Sequence, residues 1–266
     1  MHAPIGVFDS GIGGLSILQA LRAELPFEDF VYVADSGHAP YGERDPAHVI
    51  ARARAITRYL RDQHHIKALV IACNTATAAA IHLLRHEQPD LPIIGVEPAL
   101  KPAALHSQTK RIGVMATQST LDSEKFQALL TSLKGQAEFI CQPCSGLAAA
   151  IESGDAGRVQ ALCTQYTSAI GKLGAETGEI DILVLGCTHY PFARDQLQSL
   201  VGGAVTLLDS GTPVARQTRR VLEAQSLLAN KFDTSHLFCY TGNSDSIHGA
   251  TKRWLNIKTP TQYINI

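Results

Sequence analysis

Short apolar runs alternate with amphipathic helical patterns along almost the whole chain, and this alternation limits the fold more than any other feature. Each run reads as a buried strand, and a helix-like segment follows most of them. Strands that alternate with helices predict an α/β fold with a mostly parallel sheet flanked by helices. The predicted strands are Ile5–Asp9, Phe30–Ala34, Ala68–Cys73, Ile93–Val96, Arg111–Ala116, Glu138–Gln142, Ile182–Gly186, Val205–Leu208 and Leu237–Tyr240.

Proline-marked helix starts support this alternation. The segment His48–Gln63 places its apolar residues on one helical face, and Asp45-Pro46 before it supplies a cap and a first-turn proline. Thr212-Pro213 predicts another helix start in the same way, and Pro191 predicts a third.

Composition narrows the class of protein. A chain of 266 residues suits one large or two small domains, since a domain typically has ~100–150 residues. The formal charge of −1 provides no basic field for nucleic acid, and six cysteines are too few for a disulfide scaffold. The sequence shows no signal peptide and no apolar run long enough to span a membrane. We therefore expect a soluble, cytoplasmic protein.

Small polar and reactive residues follow the predicted strands. In open α/β sheets, ligands bind at the carboxyl ends of the strands, so these residues are candidates for a site. Ordinary turn and cap chemistry explains Asp, Ser and Gly there, but it does not explain two cysteines. The strand-end groups are Asp9-Ser10-Gly11, Asp35-Ser36-Gly37, Cys73-Asn74-Thr75, Glu97-Pro98, Thr117, Cys144-Ser145-Gly146, Cys187-Thr188-His189 and Asp209-Ser210-Gly211.

The two cysteines lie in matching contexts. The stretch ALVIACNTAT at residues 68–77 is similar to ILVLGCTHYP at residues 182–191, which suggests two similar half-molecules that each offer one thiol. If the halves face each other, Cys73 and Cys187 flank one cleft. One thiol then removes a proton from one face of a carbon while the other returns a proton to the opposite face. A thiol suits both roles, because its reference pKa of ~8.5 is near working pH.

The sequence resembles the glutamate racemases, pyridoxal-independent enzymes of bacterial cell-wall synthesis in the aspartate/glutamate racemase superfamily. The resemblance covers nearly the whole chain. It rests on IGVFDSGIGGLSIL, YVADSGHAPYGER, VIACNTATA, IIGVEPALKPA, IGVMATQSTL, LVLGCTHYPF and LLDSGTPVA, in that order. It implies two similar α/β domains with the active site in the cleft between them. It also implies interconversion of L- and D-glutamate for peptidoglycan synthesis without a cofactor. The sequence shows no cluster of metal ligands and no lysine in a strand-end motif, so we expect neither a metal nor pyridoxal phosphate.

The resemblance also assigns roles to residues. It makes Cys73 and Cys187 the catalytic pair, with Cys187 deprotonating L-glutamate and Cys73 deprotonating D-glutamate. Asp35 and His189 become assistants of the thiols. The substrate contacts that it implies are Asp9, Ser10, Tyr41, Gly42, Asn74, Thr75, Thr188 and His189, and we add Thr117, which follows a predicted strand.

These residue types suit a substrate with two carboxylates and one ammonium group. Helix N-termini hold carboxylates, which places Asn74-Thr75 and Thr188 well for that task. The backbone at Tyr41-Gly42, with the Ser10 hydroxyl, is a candidate for the side-chain carboxylate. Asp9 is the natural partner of the ammonium group and a further candidate for a catalytic role.

The chain is expected to cross between its two domains twice. Residues 1–97 and 210–266 are predicted to form the first domain and residues 98–209 the second. The crossovers would be Glu97-Pro98 and Asp209-Ser210-Gly211, for which we favour a connecting role over catalysis. The expected partner is a small molecule rather than nucleic acid or a membrane, and the sequence is compatible with a homodimer.

Other functions stay open at this point. A related racemase acting on aspartate or a hydantoin is the nearest alternative. A two-lobed binding protein and a hydrolase with Cys187 as nucleophile and His189 as base are further ones. The second thiol in a matching context counts against the last two.

Several motifs have a simpler interpretation. Gly11-Ile12-Gly13-Gly14 is favoured as a tight strand-to-helix turn over a nucleotide loop, because Ser16 replaces the last glycine of that pattern. Cys141 and Cys144 are expected in the core and a turn rather than at a metal, and Cys163 and Cys239 in the core. Glu152 is left as a candidate for the cleft.

Overall fold

The computed structural model describes residues 3–230, 234–242, 245–256 and 261–266, and strands and helices alternate within these ranges. The predicted domain limits at residue 1 and over 210–266 include positions outside them. The chain divides into two compact units, Met1–Val96 with Gly211–Ile266 and Glu97–Ser210. Each unit is built on its own sheet, and every strand pairing found in the two sheets is parallel. The predicted fold class, two mostly parallel sheets flanked by helices, is confirmed.

The sheet of the first unit has the strand order β10-β9-β2-β1-β3-β4. Its central strands are buried along their whole length and, apart from Asp9 at the end of β1, apolar, as expected of strands covered on both faces. The strands are β1 (Ile5–Asp9), β2 (Phe30–Ala34), β3 (Ala68–Ile71), β4 (Ile93–Gly95), β9 (His236–Tyr240) and β10 (Thr261–Tyr263).

Parallel pairing in nearly flush register brings the ends of three strands to one edge. Asp9 at the end of β1 is paired with Ala34 at the end of β2, and Phe8 is paired with Ile71 at the end of β3. The next residues continue the ladder: the amide of Asp35 donates to the Asp9 carbonyl at 3.0 Å. The residues that follow β1, β2 and β3 are therefore neighbours.

The sheet of the second unit has the order β6-β5-β7-β8, with the edge strand β6 more exposed than the others. Its side chains alternate between two apolar clusters. Val114 and Val184 belong to one, while Met115 and Leu185 belong to the other. The strands are β5 (Arg111–Ala116), β6 (Glu138–Pro143), β7 (Ile182–Leu185) and β8 (Thr206–Leu208).

The two units share a topology. In chain order, the first four strands of each unit are arranged second, first, third, fourth across the sheet. The strands β3 and β7 are therefore equivalent. Cys73 lies two residues after the end of β3, and Cys187 lies two residues after the end of β7. The similarity predicted from the two cysteine contexts thus extends to the strand order of both units.

The helices begin and end at recognisable signals. The helix predicted over His48–Gln63 runs over Pro46–His64; Asp45 accepts from the Ala47 amide at 2.8 Å at its start, and His65 adopts a left-handed conformation at its end. No helix of the described ranges is long and apolar enough to cross a membrane. The helices are α1 (Leu15–Glu24), α2 (Pro46–His64), α3 (Asn74–Glu87), α4 (Leu100–His106), α5 (Gln118–Leu121), α6 (Glu124–Ser132), α7 (Leu147–Ser153), α8 (Ala156–Ala169), α9 (Arg194–Val201), α10 (Gly211–Ala224) and α11 (Asp245–Leu255).

Five predicted strands differ from the structure by one residue at an end, and three local features were predicted wrongly or missed. Strand β3 ends at Ile71 rather than Cys73, because Cys73 already caps the following helix. Pro191 lies in a 3-10 turn over Tyr190–Ala193, and the α-helix begins only at Arg194. Strand β10 was not predicted, since its three residues are largely polar and form no apolar run.

A buried ion pair joins distant parts of the first unit. Lys67 Nζ lies 2.6 Å from Glu28 Oε2 and donates to the Leu227 carbonyl at 2.7 Å. The other oxygen of Glu28 accepts from the Ala229 amide at 2.8 Å. Both side chains are almost fully buried, so each charge depends on the other for compensation.

We therefore expect Lys67→Met to reduce the free energy of unfolding by about 3–5 kcal/mol, because it leaves the Glu28 carboxylate buried without a cation. Replacing Glu28 with Gln in the same chain should recover part of the loss. Arg54→Met removes an exposed ion pair with Glu87 and serves as the control, with a much smaller loss. Urea unfolding measures all three, and equal losses for Lys67→Met and Arg54→Met would contradict this account.

Candidate active site

The turn after β1 is organised by the carboxylate of Asp9. This side chain is fully buried, and its Oδ2 accepts from the amides of Gly11 at 3.1 Å and Gly14 at 3.0 Å. A Cβ on Gly14 would lie 2.6 Å from the Cβ of Asp9, so only glycine fits there. An acidic group thus bonds amides of the glycine-rich turn, which disfavours a phosphate there and agrees with the predicted strand-to-helix turn. Ser10 is buried in the same turn.

Cys73 lies at the N-terminus of α3. It is the N-cap residue, in an extended conformation, and its sulfur accepts from the Ala76 amide at 3.5 Å. Partial positive charge at a helix N-terminus favours the thiolate over the thiol. Asn74 and Thr75 open the helix and are both buried. Asn74 Nδ2 is a buried donor for which the described part of the chain supplies no acceptor.

Asp35 follows β2 and is surrounded by donors. Its carboxylate accepts from the Tyr41 hydroxyl at 2.5 Å, from Thr241 Oγ1 at 2.7 Å, and from Arg52 Nε and Nη2 at 2.9 Å each. Burial opposes its ionisation, but these hydrogen bonds and the charge of Arg52 outweigh burial and lower the pKa of Asp35. Both oxygens of the predicted thiol assistant are thus bonded to Arg52, Tyr41 and Thr241.

Tyr41 begins a short 3-10 turn that also contains Gly42. Its side chain is almost fully buried, and its ring belongs to the same apolar cluster as Cys73. Burial, followed by the negative charge of Asp35, raises the pKa of Tyr41, and charge on Cys73 acts in the same direction. The phenol therefore stays neutral and keeps its proton toward Asp35.

In the second unit, Cys187 lies beside a histidine and a glutamate. Its sulfur is 3.9 Å from Nδ1 of His189, and Nε2 of His189 is 2.7 Å from Oε2 of Glu152 on α7. Cys187, Thr188 and His189 are all buried. A carboxylate on one ring nitrogen fixes the orientation of the imidazole and leaves the other nitrogen toward the sulfur. Glu152 is thereby part of the group around Cys187, which sequence reasoning had left open.

Thr117 takes a local role in the structure. Its side chain accepts from the Thr120 amide at 3.2 Å and so caps the short helix α5. It follows β5, the strand equivalent to β1, and thus corresponds in position to the segment after Asp9. The predicted residues therefore fall into two groups, one at the carboxyl edge of each sheet. The first group is Asp9, Ser10, Asp35, Tyr41, Gly42, Cys73, Asn74 and Thr75, and the second is Thr117, Cys187, Thr188 and His189.

The other cysteines are held as thiols. Cys163 and Cys239 are fully buried, and burial raises the pKa of each to about 11. Burial also raises the pKa of Cys141 and, with a further contribution from the charge of Cys187, that of Cys144. A metal ligand must be a thiolate, so these environments disfavour a metal at this pair. Within the ranges that the structure describes, no three His, Cys, Asp or Glu side chains are grouped to hold a metal ion.

Comparisons with known proteins point to one family. The model of the Asp/Glu/Hydantoin racemase family matches residues 5–218. Glutamate racemase of Ralstonia nicotianae is 49% identical over 244 residues, covering 91% of this chain and 86% of that protein. Glutamate racemase of Cupriavidus pinatubonensis is 45% identical over 267 residues, covering 99% and 96%.

Solved structures agree with this result. The crystal structure of the glutamate racemase isoform RacE1 from Bacillus anthracis superposes with a TM-score of 0.87 at 31% identity, covering 100% of this chain and 98% of that one. The glutamate racemase of Francisella tularensis, solved in complex with D-glutamate, gives a TM-score of 0.85 at 28% identity with the same coverage.

Alkylation of the folded protein should spare the buried structural thiols. At about pH 8, Cys163 and Cys239 remain protonated because burial raises their pKa, and only the thiolate reacts with iodoacetamide. Peptide mass spectrometry should find both unlabelled in the native chain and labelled once urea unfolds it. Rapid labelling of either residue in the folded chain would contradict the assignment.

Proposed function

The chain belongs to the Asp/Glu/hydantoin racemase family, and from that premise we propose that it interconverts L-glutamate and D-glutamate by proton transfer between Cα and two cysteines. One observation carries the mechanism. Cys73 and Cys187 each lie two residues beyond the third strand of their unit, and the first four strands of both units are arranged in the same order. Two like groups at equivalent positions suit a reaction that is the same in both directions.

Each thiol acts on one face of Cα. Cys187 removes the proton of L-glutamate while Cys73 donates to the opposite face, and the roles exchange for D-glutamate. The assignment of faces rests on the resemblance to glutamate racemases. Because the thiols supply both proton transfers, the proposed reaction uses neither a metal nor pyridoxal phosphate.

The two thiols are activated differently. Cys73 caps a helix of 14 residues, whose N-terminus stabilises a thiolate. Cys187 does not cap a comparable helix, since a 3-10 turn follows it. At Cys187, His189 takes or returns the thiol proton through Nδ1 instead. Glu152 orients the ring through Nε2 and stabilises the imidazolium form when it arises.

The Cα proton is a very weak acid, so the developing negative charge must be stabilised. The buried Asn74 amide and the N-terminus of α3 offer donors to the substrate α-carboxylate next to Cys73. Each well-placed donor of this kind is worth roughly 3–4 kcal/mol in the transition state. Thr75 and Thr188 are further candidates for carboxylate binding.

The remaining substrate groups are assigned to the first unit. Asp9 keeps its carboxylate at the sheet edge through two amide donors, and we assign it to the substrate ammonium group. Ser10 and the backbone of Tyr41 and Gly42 bind the side-chain carboxylate in this proposal. The glutamate racemase of Francisella tularensis was solved with D-glutamate, which supports glutamate as the substrate class.

We further propose that residues 1–97 with 210–266 and residues 98–209 act as the two domains, each of which supplies one of the two thiols. The product D-glutamate would supply peptidoglycan synthesis, as the resemblance implies. The related alternative is racemisation of aspartate or a hydantoin, which the name of the family includes.

The group Cys187, His189 and Glu152 also suits a cysteine hydrolase, in which a histidine activates the nucleophile and a carboxylate orients the histidine. That function would make no use of Cys73. The equivalent position of the second thiol therefore favours racemisation.

Cys73→Ala and Cys187→Ala should each lower turnover of both enantiomers by about 10²–10⁴-fold or more, because each removes one of the two proton-transfer groups. Circular dichroism of L- and D-glutamate solutions follows the reaction, and thermal unfolding confirms that the fold is intact. Cys141→Ala, on strand β6, is the control and should keep activity. Near-normal turnover in either catalytic variant would end the two-thiol mechanism. A hydrolase activity of the protein that Cys73→Ala leaves intact would favour the hydrolase.

A further inference from the structure

Arg52 on α2 holds the buried carboxylate of Asp35 with a two-pronged contact. Its Nε and Nη2 donate to separate oxygens of Asp35 at 2.9 Å, and its Nη1 donates to the Ile266 backbone oxygen at 2.6 Å. The Arg52 side chain is only 12% exposed. Three directed donors in a fixed plane give this guanidinium one orientation, which a lysine cannot reproduce.

Asp35 passes this constraint to the loop after β2. One of its oxygens accepts from the Tyr41 hydroxyl at 2.5 Å and the other from Thr241 at 2.7 Å, while Thr241 Oγ1 also accepts from the Gly37 amide at 3.1 Å. The backbone at Gly37 approaches Gly242 so closely that a Cβ on Gly242 would lie 2.6 Å from the Gly37 Cα. The loop is thus fastened at both ends, and Asp35 is the shared acceptor.

Tyr41 connects Asp35 to the surroundings of Cys73. Its ring lies in the apolar cluster that contains Cys73, and the 3-10 turn that Tyr41 begins packs against α3, the helix that Cys73 caps. If the cation of Arg52 were lost, Asp35 would remain as a buried, uncompensated charge, which is costly. The carboxylate would then take up a proton or move, and its hydrogen bond with Tyr41 would change in either case.

We propose that Arg52 is a positioning residue for Cys73: it fixes Asp35, Asp35 fixes the Tyr41 ring, and the ring keeps the thiol aligned with the substrate Cα. This inference rests on the proposed function, in which Cys73 removes the proton of D-glutamate. Nothing in the sequence pattern marks Arg52, since it lies in the middle of a helix among other arginines.

The test uses a symmetry of racemases. Two enantiomers have an equilibrium constant of one, so a variant must lower kcat/KM equally in both directions. The primary isotope effects instead reveal which of the two proton transfers a variant has slowed. D-glutamate deuterated at Cα reports the transfer to Cys73, and L-glutamate deuterated at Cα reports the transfer to Cys187.

Arg52→Gln should lower kcat/KM by about 10–100-fold in both directions, the range expected from misplacing a reacting group. The isotope effect on kcat/KM should rise for deuterated D-glutamate and fall for deuterated L-glutamate, since the Cys73 step becomes more rate-limiting. Arg52→Lys keeps the charge without the fork and should shift both isotope effects in the same senses by less. If Arg52→Gln does not fold, Arg52→Lys is judged by this criterion alone.

Arg85→Gln is the matched control. Arg85 also fastens the first unit, because its Nε and Nη2 donate to the Ile93 carbonyl at 3.1 and 2.8 Å, but it has no contact with Asp35. Its loss should lower stability and leave both isotope effects unchanged. Unchanged isotope effects in the Arg52 variants, or the same shifts in Arg85→Gln, would overturn the inference. If the unaltered protein does not racemise glutamate, the proposed function itself fails.

Discussion

The parallel, nearly flush register of the central strands is the constraint on which the rest of the structure depends. Because β1, β2 and β3 start together, their carboxyl ends meet at one edge, and each following turn begins beside its neighbours. The same register joins β5 to β6 and β7 in the second unit. A parallel strand also delivers the next helix with its N-terminus at this edge, so amides and partial positive charge collect where Cys73 emerges.

The repeated strand order gives two equivalent thiol positions, but the surroundings of the thiols have diverged. Cys73 lies at a helix N-terminus and in the same apolar cluster as a neutral tyrosine that donates to Asp35. Around Cys187, the helix is displaced by a 3-10 turn, and a histidine oriented by Glu152 takes its place. In the proposed mechanism, each environment lets a buried sulfur carry a proton and then a charge. Because the surroundings differ, the environment of each thiol can be altered by mutation without changing that of the other.

Much of the fold could be predicted from the sequence, because local sequence patterns indicate strands and helices of this kind. The bounds of β1, β2 and β5 agree with the predicted strands, and α2 begins at the predicted capping signal. The strand-end cysteines were found because apolar runs end just before them. Strand β10 has no such run, and its place beside β9 is decided by tertiary pairing.

The side-chain contacts within the candidate site could be predicted only in part. Glu152 and His189 are 37 residues apart in the sequence, and Thr241 and Asp35 are 206 residues apart, so no local pattern predicts either contact. Arg52 shows the same difficulty, since its helix contains several arginines and only packing singles out the one that meets Asp35. Sequence reasoning thus identified groups that could carry protons, whereas the structure supplies the residues that hold them in place.

The two-thiol mechanism is tested most directly by following deuterium during the reaction in heavy water. L-glutamate is incubated with the protein for a small fraction of one conversion, the enantiomers are separated, and mass spectrometry measures deuterium at Cα in each. With two thiols on opposite faces, the D-glutamate product carries deuterium from its first formation, while recovered L-glutamate carries little. Equal early labelling of both enantiomers would mean that one group serves both faces, and it would contradict the account.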